Sequence, residues 1–195
     1  MGTLQIGPGD ALLVVDVQHD FLPGGALGIR GGDAIVPVLN AYLALWARAG
    51  LPVIASRDWH PTDHCSFVER GGPWPRHCVA GTHGAAFHPA LALPPGIGVL
   101  SKATRPDHEA YSAFDDTDLD ARLRAAGVRR LFVGGLATDY CVLHTVRDAL
   151  ARGYAAVVLA DAVRAVDRVP GDGDRALDDL RARGAGFVRL ADVTP

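Results

Sequence analysis

A chain of 195 residues is long enough for one domain with a full hydrophobic core and short for two. Hydrophobic residues make up 49% and charged residues 21%, a globular balance, and a formal net charge of -3 with no basic run argues against nucleic acid as a partner. No apolar stretch approaches the roughly 20 residues that span a bilayer, so no membrane partner is expected.

The N-terminal segment lacks the basic start and cleavage site of a signal peptide. Gly2 follows Met1, but Ile6 stands where a myristoylation signal wants Ser or Thr. The first apolar run, Leu12–Val17, predicts a strand. Ala34–Ala49 then keeps Ile35, Leu39, Tyr42, Leu43 and Trp46 on one helical face and stops before Gly50. Strands are expected again at Pro52–Ser56, Gly98–Ser101, Arg130–Gly134 and Ala155–Ala160, with a weaker one at Gly186–Leu190. Helices fall between them at Leu119–Ala126, Tyr140–Ala151 and Asp174–Arg183. Each ends just before a glycine that can take the left-handed closing conformation.

Strand and helix alternate, which predicts an α/β fold: a single-domain, Rossmann-like three-layer sandwich around a mainly parallel sheet. Such sheets carry their sites at the carboxyl ends of the strands. That rule selects Asp16, Asp58, Lys102 and the segment "GGLATDYC". The connection over about 57–97 is long, and long connections are functional or disordered. Its tryptophans, histidines and prolines speak for order.

That connection opens "SRDWHPTDHCSFVERGGPWPRHC". Asp58 and His60 are two apart and share a side in extended chain. With His77 they form a ligand set suited to zinc, iron or manganese with open positions. His64, Ser66 and Glu69 are further candidates. Surface histidines beside a turn aspartate are the plain alternative. A structural zinc on Cys65 and Cys78 is another, although the spacing is not that of C-x-x-C knuckles.

The third cysteine, Cys141, opens a helix, where the dipole favours a thiolate and free N–H groups can receive an oxyanion. An inert buried thiol is the alternative. With three cysteines and no leader, free thiols in a reducing cytoplasm are expected. Asp16 and Lys102 each end an apolar run, a costly place for an unpaired charge. At adjacent strand ends they can form a structural ion pair. With Cys141 between them, Lys102 would favour the thiolate and Asp16 could take its proton. The glycines of "GGLATD" and "GPG" do not fit a phosphate-binding fingerprint.

Taken in order, "LLVVDVQHDFLPGGAL", "SRDWHPTDHCSF", "WPRHCVAGTHGAAFHP", "LSKAT", "YSAF" and "GLATDYCV" resemble the nicotinamidase branch of the isochorismatase-like cysteine hydrolases, over Leu12–Leu190. The resemblance implies a Cys141–Asp16–Lys102 triad. It implies one divalent metal on Asp58, His60 and His77, zinc first, with His64 as a fourth ligand. It implies a cis Leu136–Ala137 peptide and an oxyanion hole from the N–H groups of Ala137 and Cys141. Phe21, Leu27, Trp74, Tyr111, Leu136 and Tyr140 would bind the substrate ring. The implied reaction is hydrolysis of nicotinamide to nicotinate and ammonia through a cysteine thioester, with the pyridine nitrogen on the metal. Pyrazinamide is expected to react too. A homo-oligomer is compatible with the resemblance. The rivals are a related cysteine amidase or carbamoyl hydrolase with another acyl group and, outside enzymes, a zinc-binding scaffold.

Overall fold

The computed structural model describes residues 3–195, so the Gly2 reading lies outside the described residues. A six-stranded parallel sheet forms the middle layer. A short pair, β1 (Leu4–Gln5) with β8 (Val193–Thr194), ties the two ends of the chain together. The main strands are β2 (Asp10–Val15), β3 (Val53–Asp58), β4 (Gly98–Lys102), β5 (Arg130–Leu136), β6 (Ala155–Arg164) and β7 (Gly186–Val188). Their order across the sheet is β4-β3-β2-β5-β6-β7. All six predicted strands are present. The boundaries differ because ladder pairing with neighbours, which apolar content does not report, extends β3, β4, β5 and β6 past the runs read from sequence.

The central strand β2 is buried at every residue and faces two cores. Leu12 and Val14 pack with Leu39, Tyr42, Leu43 and Trp46 of α1 (Val36–Ala49). Ala11, Leu13 and Val15 pack in a second cluster with residues of α2 (Leu119–Ala125), α3 (Leu143–Ala151) and α4 (Asp172–Ala182). This is the three-layer arrangement expected. Gly50 closes α1 with a φ of 66° in the left-handed region.

The chain runs outward from β2 to β3 to β4, then outward the other way from β5 to β6 to β7. The order therefore reverses between β2 and β5, and ligands in open α/β sheets bind at such a reversal. Close approach there is enforced by Gly135, at φ 129°, where an added Cβ would lie 2.0 Å from the Val15 carbonyl oxygen. No described helix is long and apolar enough to cross a membrane.

Candidate active site and metal centre

Four strand tips supply the buried polar groups: Lys102 from β4, Asp58 from β3, Asp16 just past β2 and Cys141 just past β5. Asp16 and Lys102 are not on adjacent strands, as the sequence reading supposed, because β3 lies between them. They still meet. Asp16 takes a left-handed φ of 49°, ending the extended run at once, and Ala103 does the same at 50° after Lys102. The Lys102 Nζ stands 3.1 Å from Asp16 Oδ2 and 2.5 Å from Asp58 Oδ1. It also donates to the Ala110 carbonyl at 3.0 Å and lies 3.4 Å from Cys141 Sγ. An oxygen of Asp16, an oxygen of Asp58 and Cys141 Sγ all fall within 4.8 Å of one another.

Burial sets the charge states here. It works against the Lys102 ammonium, but Asp16 and Asp58 outweigh it and hold the amine well above its usual range. Burial also works against the Asp58 carboxylate, and Lys102, followed by His60 and His77, overrides it and holds the acid well below its usual range. In Asp16 burial wins over Lys102, and the carboxyl is raised. Burial pushes the Cys141 thiol up as well, against the pull of Lys102. Burial at this site therefore opposes the pull toward thiolate that the helix start suggested. Asp16 Oδ2 is ion-paired yet accepts no hydrogen bond, so it keeps a free lone pair.

The local structure around Cys141 also differs from the sequence reading. The helix begins as a π-type turn over Thr138–Val142 before α3 starts at Leu143. The Ala137 carbonyl accepts from the N–H groups of Tyr140 and Val142, passing over that of Cys141. The Leu136–Ala137 peptide is cis.

Beside these groups the structure brings together Asp58, His60 and His77, one ligand atom from each within 4.8 Å of the others. His60 Nδ1 faces the Ala103 carbonyl at 3.2 Å, and His77 Nδ1 faces the Pro75 carbonyl at 2.8 Å. A carbonyl only accepts, so both Nδ1 atoms carry the proton and both Nε2 atoms present bare lone pairs. The His60 Nε2 is buried with no partner and lies 3.7 Å from Asp58 Oδ2. An orphaned buried lone pair is costly unless something takes it up. With carbonyls orienting the rings and Lys102 gripping the other Asp58 oxygen, this donor set fits a divalent cation.

The other predicted ligands do not join. The His64 ring lies 4.2 Å from that of His60, but its Nε2–H donates to the His108 carbonyl at 3.0 Å and its Nδ1 accepts from Ser66 Oγ at 2.7 Å. Both nitrogens of His64 are thus engaged, and Ser66 serves His64 rather than an ion. Glu69 is exposed and pairs with Arg76. Cys65 and Cys78 belong to neither group of potential ligands among the described residues. Cys78 is buried in the apolar core instead, its N–H donating to Asp20 Oδ2 at 2.7 Å.

A narrow cleft, partly open to solvent, sits over Cys141 and His77. Phe21, Leu27, Trp74, Tyr111 and Tyr140 line it as expected, together with Ala137 and Asp58. Trp74 Nε1 donates to the Tyr111 hydroxyl at 3.0 Å, and its ring meets Tyr140 edge-on at 5.1 Å. Leu136 is the exception. Its side chain turns into the core, fully buried, and does not face the cleft.

Sequence reasoning missed three contributors. Gln18, fully buried, accepts from the Asp58 N–H at 2.8 Å and donates to the Asp58 carbonyl at 2.7 Å and the Ala85 carbonyl at 3.0 Å. Ser56 donates to Asp16 Oδ1 at 2.7 Å. Each lies two residues from a charged site residue, a signal available in the sequence. Val166, after β6, lines the cleft and had no such signal.

Residues 10–192 match the family model described as the isochorismatase domain. The chain belongs to the isochorismatase family. Within that family it is 41% identical to the nicotinamidase of Escherichia coli (strain K12), over 95% of this chain and 97% of that protein. Among solved structures it is similar to a Pyrococcus horikoshii pyrazinamidase in complex with zinc, at 49% identity and a TM-score of 0.90, covering 93% of this chain and 99% of the other. It is also similar to an L. infantum protein in complex with nicotinate, at 35% identity and a TM-score of 0.92, covering 100% and 99%. The isochorismatase-family sheet thus carries both buried constellations at one reversal point.

Proposed function

We propose that the protein is a metal-dependent amidohydrolase that converts nicotinamide to nicotinate and ammonia, and pyrazinamide to pyrazinoate. One observation carries the reading. A buried thiol, a carboxylate with a free lone pair and an ammonium share one point, beside two bare imidazole nitrogens in an aromatic-walled cleft. The nicotinamidase and pyrazinamidase relatives support the substrate class.

The residues have separable tasks. Phe21, Trp74 and Tyr140 sandwich a flat ring and exclude water. Asp16 Oδ2 takes the proton from Cys141 Sγ, and the Lys102 ammonium stabilises the resulting thiolate. Sulfur adds to the carboxamide carbon, and the N–H groups of Ala137 and Cys141 receive the oxyanion. Protonated Asp16 returns its proton to the leaving nitrogen. The C–N bond breaks, ammonia departs and a thioester remains. Asp16 then deprotonates a water, which adds to the thioester carbon; the C–S bond breaks, nicotinate leaves, and protonated Asp16 returns its proton to the Cys141 sulfur. Asp58, His60 and His77 would hold the divalent ion, taken here as zinc, which would supply a Lewis-acidic anchor for the ring nitrogen.

The deciding experiment is ammonia release from nicotinamide by the purified protein, with metal analysis of the same sample. Turnover together with about one equivalent of divalent metal is expected. No ammonia from metal-loaded protein would refute the reading.

A further inference from the structure

The wall of the cleft is closed from outside by a segment that the mechanism does not use. After β6 the chain crosses the cleft mouth at residues 165–168. Asp139, in the turn that carries Cys141, grips this segment: Oδ1 accepts from the Val166 N–H and Oδ2 from the Asp167 N–H, both at 2.9 Å. Asp167, at φ 52°, caps the start of α4 through the Gly173 N–H at 2.8 Å. The segment is thus fixed at two points. Val166 faces the cleft, and the exposed Arg168 lays its guanidinium 4.9 Å from the centre of the Trp74 ring.

Trp74 is the central wall residue, and it comes from the long connection after β3. It is held at one edge by the Tyr111 hydroxyl. Among the described residues, Arg168 is the cation that stacks on its ring. We propose that Arg168 is a positioning residue, a latch that presses Trp74 over the substrate ring and so sets ring affinity rather than the rate of bond breaking. Resting on the nicotinamidase reading for its substrate, it ties the nucleophile's turn, through Asp139, to the connection that carries the metal ligands. The opposed loops then close as one rim.

A guanidinium on an indole at an exposed site is worth a few-fold in an equilibrium constant, and a lysine offers the charge without the flat face. Arg168→Ala should raise KM for nicotinamide roughly two- to five-fold with kcat within about two-fold. Arg168→Lys should recover part of the loss, and bound metal should stay unchanged. The independent readout is acrylamide quenching of Trp74 emission, isolated by subtracting the same variants in a Trp74→Phe background. Quenching should increase in Arg168→Ala and recover partly in Arg168→Lys. Unchanged KM, or raised KM with unchanged Trp74 quenching, would overturn the latch. A KM change matched by an equal loss of kcat and a lowered Tm would also overturn it, as a purely structural role. If wild-type protein released no ammonia from nicotinamide, the substrate reading would fall, and quenching would still decide the latch.

Discussion

The two halves of the site are built by different means. Asp16, Lys102 and Cys141 come off strand tips locked by the parallel ladder, all within reach of one buried point. His77, Trp74 and the rim at residues 165–168 come from connections with almost no ladder of their own. They are held instead by isolated backbone bridges, such as His60 with Val79 and Phe67 with Trp74, and by side chain–backbone bonds, such as Gln18 to Ala85, Asp20 to Cys78 and Asp139 to Val166. Under the proposed function, chemistry that tolerates little misplacement sits on the sheet, and recognition of the ring sits on the connections. Damage on the sheet side should therefore show in kcat, and damage on the loop side in metal content and KM.

The sharpest way to test that division is Cys141→Ala. Ammonia release should fall roughly 10⁴-fold or more, as for other nucleophile deletions, while metal content stays at the wild-type level. Residual activity near wild type would remove the sulfur from the mechanism. On the loop side, His60→Ala should lower bound metal, and Gln18→Ala, acting through the Asp58 and Ala85 backbone, should weaken metal affinity about 10- to 100-fold. Isothermal titration with zinc measures both, and an unchanged stoichiometry in His60→Ala would mean the ligand is misassigned. Ser56→Ala strands Asp16 Oδ1 in the core and should cost about 1–3 kcal/mol of stability by denaturant titration, with a drop in kcat and no loss of metal.

The smallest effect lies away from both halves. Hydrogen bonds from Arg147 and then Arg183 hold the Asp179 carboxyl at about 2, below its usual 3.8. A depressed folded-state pKa gives stability that is present above the unfolded value and is lost as pH falls through about 2. Asp179→Asn should flatten the acid limb of a stability profile slightly and leave ammonia release at neutral pH unchanged. A shift in KM instead would couple α4 to the rim.

Much of this was legible beforehand. Buried parallel strands need unbroken apolar runs, and helices often stop at a left-handed glycine, so the elements and their order could be read locally. The charged residues ending those runs could be read too, because a charge there demands a partner. His64 could not be separated from His60 and His77 by spacing. The His108 carbonyl, brought in from a distant segment, occupies its Nε2, and Ser66 occupies its Nδ1. Leu136 sits in the right motif but turns into the core, and Val166 and Arg168 reach the cleft only through the fold.

The sequence by itself determined the α/β alternation and placed the acid, amine and sulfur at strand ends, because these follow from composition and local periodicity, and it offered Asp58, His60 and His77 as a candidate ligand set. The tertiary structure alone decided which ring nitrogens stay bare, how deeply the Cys141 sulfur is buried, and that a rim after β6 closes on Trp74. Those outcomes depend on burial and on which backbone the fold brings alongside, as with the Ala103 carbonyl at His60 and Asp139 at the rim, and periodicity along the chain does not encode them.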